Sequence, residues 1–172
     1  MLLSIHQKYI LDLLRELACV RRDQLQTLVQ GRFPERTVSG CAMEAMLRQL
    51  CGGMGDFRAN EQFVWLGNVQ PDQRRLEAVD VMLELSGKRP QDISVRCRLP
   101  ELLWFSMEGK SLRLFTVATI SDPLHSGVRA RDSPGRTVWI SDSGAAPTGL
   151  KLPPGHFFAA RQPDGSHRFY GS

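Results

Sequence analysis

The order of the periodic patterns in the first 66 residues constrains the fold of this chain more than any other feature of its sequence. Apolar residues recur at helical spacing from Ser4, a suitable N-cap, to about Leu17. A second, shorter helix is predicted from Arg21 to Val29, with Gly31 just past its last turn. A third helix is predicted from about Pro34 to Leu50, since proline is favoured in the first turn of a helix.

A short hairpin is predicted after the third helix. Gly52 and Gly53 stop that helix, and the β-like segments 54–58 and 62–66 flank a polar tip at residues 59–61. A helix, a short helix, a turn, a helix and a hairpin in this order are typical of a winged helix-turn-helix. We therefore predict that residues 1–68 form a domain of this kind.

Residues 69–172 are predicted to form a second, small α+β domain with a mostly antiparallel sheet. Asp72 begins an amphipathic helix that runs to about Leu85, and residues 121–136 have the composition of a loop. The predicted strands of this half are residues 101–105, 112–120, 137–140, 156–161 and 167–170. The fold class predicted for the whole chain is therefore α+β.

The charge of the chain permits a polyanionic partner without requiring one. The net charge is +4 and most of the basic residues are arginine, which binds phosphate and guanine edges better than lysine does.

No apolar run approaches the roughly 20 residues that span a bilayer, and the N-terminus lacks the pattern of a signal peptide. We expect a cytoplasmic protein that does not enter a membrane.

The four cysteines give no sign of a metal site. Cys19, Cys41, Cys51 and Cys97 are scattered and never form a C-x-x-C pair, whereas a zinc site usually needs two close pairs of ligands. We expect structural thiols, no metal and no other cofactor.

Double-stranded DNA is the partner that the predicted N-terminal domain favours, because the third helix of such a domain lies in the major groove. The guanidinium of Arg36 could form two hydrogen bonds with a guanine, and the small Gly40 would allow the helix to approach the groove closely. The full set of candidate DNA-binding residues is Arg32, Arg36, Thr37, Ser39, Gly40 and Arg48, with Arg58 and Asn60 in the hairpin.

A protein partner is the alternative that remains open. Glu35 and Glu44 lie on the same predicted helix and would repel phosphate, and the net charge of residues 1–66 is close to zero. Winged helices also serve as protein-binding modules. In that case we expect exposed aromatic anchors in the C-terminal sheet, namely Trp104, Phe105, Phe157 and Phe158.

A nuclease is a third alternative, which the placement of its residues disfavours. Asp92 with Glu108-Gly109-Lys110 resembles the signature of restriction-endonuclease-like nucleases, in which carboxylates hold Mg²⁺ and the lysine positions water. That motif normally lies on a strand, whereas here it falls at a glycine turn between two apolar runs. We therefore predict that the protein is not an enzyme.

The two histidines His156 and His167 are predicted to face each other across the last hairpin.

The run from Ile5 to Leu66 resembles the winged helices of bacterial plasmid and conjugative-element proteins, including the segments Val20-Arg21-Arg22-Asp23-Gln24-Leu25 and Gly55-Asp56-Phe57. It is most similar to the replication-relaxation type and to related uncharacterised Firmicutes proteins. The resemblance implies a C-terminal domain related to endonuclease folds, often without a working nuclease site. It also implies DNA binding in the replication, transfer or regulation of a mobile genetic element, and leaves a homodimer open.

Overall fold

A computed structural model describes residues 2–90, 92–95, 101–107, 111–120, 135–141 and 152–171. The elements in chain order are α1 (Ile5–Leu17), β1 (Cys19–Arg21), α2 (Arg22–Arg32), α3 (Gly40–Gly53), β2 (Phe57–Ala59), β3 (Phe63–Leu66), α4 (Gln73–Leu85), β4 (Ile93–Val95), β5 (Glu101–Met107), β6 (Arg113–Ile120), β7 (Arg136–Ser141), β8 (His156–Arg161) and β9 (His167–Gly171). The protein is therefore α+β, as predicted. No helix within the described ranges is long and apolar enough to cross a membrane.

Helix α1 begins as predicted, because Ser4 forms a reciprocal cap. The Ser4 hydroxyl oxygen accepts a hydrogen bond from the Gln7 backbone N–H at 3.2 Å, and the Gln7 side chain accepts one from the Ser4 N–H at 2.9 Å. This exchange satisfies two backbone donors that the first turn of a helix leaves free. Ile10 and Leu14 lie on its buried side.

A three-stranded antiparallel sheet follows the helices, with the order β1-β3-β2. The predicted hairpin is confirmed, although its strands are shorter than expected. The Asn60 side chain fixes the tip, because its carbonyl oxygen accepts the backbone N–H groups of Gln62 at 2.9 Å and Phe63 at 2.7 Å. The stub strand β1 joins this sheet by pairing Cys19 with Trp65.

The predicted start of the third helix is wrong, because α3 begins at Gly40 instead of Pro34. Ser39 caps the helix, and its hydroxyl oxygen accepts the Ala42 N–H at 3.2 Å. Val38 is held outside the helix because it is buried and its N–H donates to the Gln30 side chain at 3.1 Å. Residues 33–39 therefore form a turn and an extended link between α2 and α3.

The predicted end of the second helix is also wrong, because α2 continues through Gly31 to Arg32. A Cβ at Gly31 would approach the carbonyl oxygen of Lys88 well inside the 3.0 Å that real Cβ contacts respect. Gly31 therefore allows the segment after α4 to lie close against α2, and it does not stop the helix.

The C-terminal strands form a six-stranded mixed sheet in the order β4-β5-β6-β7-β8-β9. The β6–β7 and β7–β8 pairings are parallel and the other three are antiparallel, which agrees with a mostly antiparallel sheet. Asp72 caps α4 as predicted, by accepting the Arg74 N–H at 3.0 Å. Leu76, Val79 and Met82 of this helix are buried.

One hydrophobic cluster runs through both halves of the chain. It includes Leu14 and Leu25 from the first half and Val79, Phe105 and Val138 from the second. The boundary predicted at residue 68 stays a prediction, but the two halves share this core.

Several predictions about individual side chains are corrected by their burial. Phe105 and Phe158 are almost fully buried, so they are core residues and cannot be exposed anchors. The other two expected anchors, Trp104 and Phe157, are half-buried. Among the cysteines, Cys19 is buried as expected of a structural thiol, whereas Cys41 and Cys51 are exposed on α3 and Cys97 lies outside the described residues.

Candidate nucleic-acid interface

The outer side of α3 is open to solvent and begins with small residues. Gly40, Cys41 and Ala42 are exposed, and a Cβ at Gly40 would have no atom within 4 Å. The opposite side of the helix is anchored in the core by buried residues, among them Met43 and Leu47. Because small side chains let a helix approach another surface closely, the first turn of α3 is free to meet a partner.

Arg22 neutralises the carboxylate on this open side and joins three elements. Its guanidinium forms an ion pair with Glu44 of α3 and donates to the backbone carbonyl of Asn60 at the hairpin tip. Glu44 is the only carboxylate in the sequence of α3. The repulsion of phosphate expected from Glu44 is therefore offset locally. Sequence reasoning missed this residue, and the signal was the pair Arg21-Arg22 at the start of α2.

The turn before α3 carries two of the predicted DNA-binding residues. Arg36 and Thr37 are exposed there, outside the helix on which they were expected, because α3 begins only after the Ser39 cap. Glu35 is exposed on the same turn. Arg32 is the last residue of α2 and is also exposed. Partial burial raises the pKa of Tyr9 to about 12, and the charge of Arg32 opposes that shift.

The remaining predicted residues lie on α3 and the hairpin. Arg48 is exposed on α3, and Arg58 is exposed on β2, where its guanidinium donates to the carbonyls of Gly55 at 2.6 Å and Phe57 at 3.0 Å. Neither arginine forms an ion pair with a residue that the structure describes. Asn60 is committed to the hairpin turn through its carbonyl oxygen, which leaves its amide N–H₂ for a partner.

Asp92 is the one residue of the nuclease motif that lies within the described ranges. Asp92 is exposed, and its carboxylate accepts a hydrogen bond from the Ser106 hydroxyl at 3.0 Å. Glu108, Gly109 and Lys110 lie outside the described residues. No group of three or more His, Cys, Asp or Glu side chains in the described ranges could hold a metal ion.

The two histidines of the last hairpin are far apart, so the prediction that they face each other is wrong. His167 is opposite Arg161 in the β8–β9 register, whereas His156 begins β8. The imidazole of His167 is fully buried between two carboxylates of α4, at 2.9 Å from Glu84 and 3.4 Å from Glu77. His156 instead accepts a hydrogen bond from the Trp139 indole N–H at 3.0 Å.

Comparison of the chain with family models, with curated proteins and with solved structures found no match. The resemblance to winged helices of bacterial mobile elements therefore stays a prediction. The function has to be inferred from α3, the turn before it and the hairpin.

Proposed function

We propose that residues 4–67 form a winged helix-turn-helix that binds double-stranded DNA without catalysis. The order α1-β1-α2-α3-β2-β3 supports this proposal, as does the pairing of the stub strand β1 with β3 of the hairpin. The observation that carries it is the solvent-open side of α3, whose single carboxylate is paired with Arg22.

In this proposal the first turn of α3 enters the major groove. Arg48 on the helix and Arg36 and Thr37 on the turn before it contact bases and phosphates, and Arg32 contributes a further phosphate contact. The Ser39 hydroxyl oxygen is occupied by the helix cap, so Ser39 acts mainly by positioning the helix. Arg58 and the Asn60 amide contact the adjacent backbone or minor groove.

The biological setting belongs to the same proposal and rests on the resemblance. We propose a cytoplasmic protein that acts in the replication, transfer or transcription regulation of a mobile genetic element.

The test is a fluorescence-anisotropy titration of the protein into a labelled duplex. Arg36→Ala and Arg48→Ala are each expected to weaken binding by about 1 kcal/mol or more, which is roughly fivefold in Kd. Arg15→Ala is the matched control, because Arg15 is exposed on α1 and pairs with Asp12 at 2.7 Å. It removes the same charge and should leave the Kd nearly unchanged.

A second pair of variants tests the open side of α3 directly. Arg22→Ala should weaken DNA binding because it frees the charge of Glu44, and the double variant Arg22→Ala, Glu44→Ala should restore binding. A Kd above about 100 µM at low salt would contradict the proposal, since even non-specific DNA binding is typically tighter than that. Equal effects of the Arg36, Arg48 and Arg15 variants would contradict the placement of DNA on the open side of α3, because they would show that binding depends on the overall charge of the protein.

A further inference from the structure

We propose that the turn at residues 87–89, which follows α4, is a second phosphate-binding element, in which Lys88 and Arg89 hold the backbone of duplex DNA beside α3. This inference rests on the proposed function and adds the C-terminal half of the chain to the DNA-binding surface. Sequence reasoning assigned these two residues to no site.

A groove of about 730 Å³ separates this turn from the segment that leads into α3. Thr37 and Val38 line one side of the groove, and Gly87, Lys88 and Arg89 line the other, with α2 as the floor. Thr37 follows Arg36 and lies two residues before the Ser39 cap. The groove therefore opens beside the start of the helix that is proposed to enter the major groove.

The backbone of the turn is fixed in a conformation that is unfavourable for lysine. Lys88 has a φ of 68°, in the left-handed region, and its N–H donates to the Leu83 carbonyl at 2.8 Å. The Arg89 N–H donates to the Ser86 carbonyl at 3.2 Å, and Gly31 lets the Lys88 carbonyl lie against α2. A left-handed conformation costs a non-glycine residue about 1–2 kcal/mol, which glycine would avoid. Strain retained at an exposed lysine is a reason to look for a function of its side chain.

The charges around the groove match a phosphodiester backbone. Lys88 and Arg89 are exposed, and no described residue forms an ion pair with either of them. Asp23 is the one carboxylate among the described residues that line the groove, and it pairs with Arg21 at 3.1 Å. The polar floor includes Gln30, whose side chain holds the Val38 backbone in place. Two adjacent cations that have no ion pair within the described ranges, beside a fixed polar wall, suit a chain of singly charged phosphates.

The experiment compares the salt dependence of duplex binding by the full chain and by the double variant Lys88→Gly, Arg89→Ala. Glycine keeps the left-handed backbone and removes the amine, so the fold should be retained, which circular dichroism would verify. The slope of log K against log salt concentration should become shallower by about 1.8, since each phosphate contact contributes about 0.9. The loss of affinity should be the same for duplexes of unrelated sequence, because phosphate contacts carry no base information.

The matched control is Lys8→Ala, Arg15→Ala, which removes one lysine and one arginine from the exposed surface of α1 and should leave the slope unchanged. The variant Lys88→Gln, Arg89→Gln provides a second test that keeps side-chain length. If the wild-type protein binds DNA and both 88/89 variants keep its slope, this inference is wrong and the proposed function stands. If the wild-type protein does not bind DNA, both are wrong.

Discussion

At the scale of single residues, the two buried histidines of the C-terminal sheet have opposite pKa shifts. Burial lowers the pKa of His156, whose ring accepts the Trp139 N–H and must be neutral at that nitrogen. Burial also lowers the pKa of His167, but hydrogen bonds and charges from Glu77 and Glu84 outweigh it, so the pKa of His167 is raised. In its protonated form the His167 imidazole pairs with both carboxylates and so links β9 to α4, and the backbone N–H of His167 also donates to Glu84 at 3.0 Å.

These shifts predict a free energy of unfolding that falls on both sides of a maximum near pH 6.5. The His167 contribution is complete below its unfolded pKa of about 6.5 and is lost as pH rises through its raised folded pKa. The His156 contribution is complete above about 6.5 and is lost as pH falls through its lowered folded pKa. Each should change stability by at most about 1.4 kcal/mol per pH unit.

Urea unfolding between pH 5 and pH 9 would measure both effects. His167→Gln should remove the decline on the alkaline side, and His156→Asn, which keeps an acceptor for Trp139, should remove the decline on the acid side. If the two variants have the same pH profile as the wild-type protein, the assignment of charge to these rings is wrong.

At the scale of elements, the position of α2 depends on a backbone approach that only glycine permits. Glycine normally destabilises the interior of a helix by about 1 kcal/mol relative to alanine. Gly31 lies within α2 nonetheless, because its missing Cβ makes room for the Lys88 carbonyl.

We therefore predict that Gly31→Ala destabilises the protein in spite of the higher helix propensity of alanine. The added methyl group must push the turn at residues 87–89 away from α2, and overpacking of this kind typically costs about 1–3 kcal/mol. Gly52→Ala is the matched control, since Gly52 is also helical and a Cβ there would meet nothing within 4 Å. Thermal unfolding should show a lower Tm for Gly31→Ala and an unchanged or higher Tm for Gly52→Ala. Equal shifts in both variants would refute this account of Gly31.

At the scale of the whole molecule, a polar network links the two halves beside their shared core. Arg21 of β1 forms a two-pronged ion pair with Asp80 of α4, at 2.5 and 3.0 Å. The Gln24 amide donates to the same carboxylate at 2.7 Å and to the Leu76 carbonyl at 2.7 Å. Asp80 therefore accepts from two side chains of the first half, and its loss would leave Arg21 only its pair with the exposed Asp23 and Gln24 only the Leu76 carbonyl.

Asp80→Ala is predicted to reduce the free energy of unfolding by about 2 kcal/mol, because it removes a charged acceptor from the partly buried N–H groups of Arg21 and Gln24. Asp12→Ala is the control, because Asp12 is exposed and its ion pair with Arg15 lies within α1; its loss should cost less than about 0.5 kcal/mol. Urea unfolding followed by tryptophan fluorescence and by far-ultraviolet circular dichroism would measure both. Coincident transitions are expected for the wild-type protein because the core is continuous. If the Asp80→Ala variant is as stable as Asp12→Ala, the network between the two halves does not contribute to the free energy of unfolding.

The sequence by itself determined the features that depend on near neighbours in the chain. The Ser4 and Asp72 caps and the amphipathic helices after them follow from local hydrogen bonding and apolar spacing. The α+β class follows from the sum of these local signals.

Only the tertiary structure decided the features that depend on distant residues. Gly31 has the local signature of a helix stop but meets Lys88, which is more than fifty residues away in the chain. Pro34 has the local signature of a helix start, but Gln30 and the burial of Val38 hold the chain out of the helix until Ser39. The partner of Glu44 is on α2, and the partners of His167 are on α4. Local propensities are worth a kilocalorie or less, so a buried or charged contact made through space decides between them.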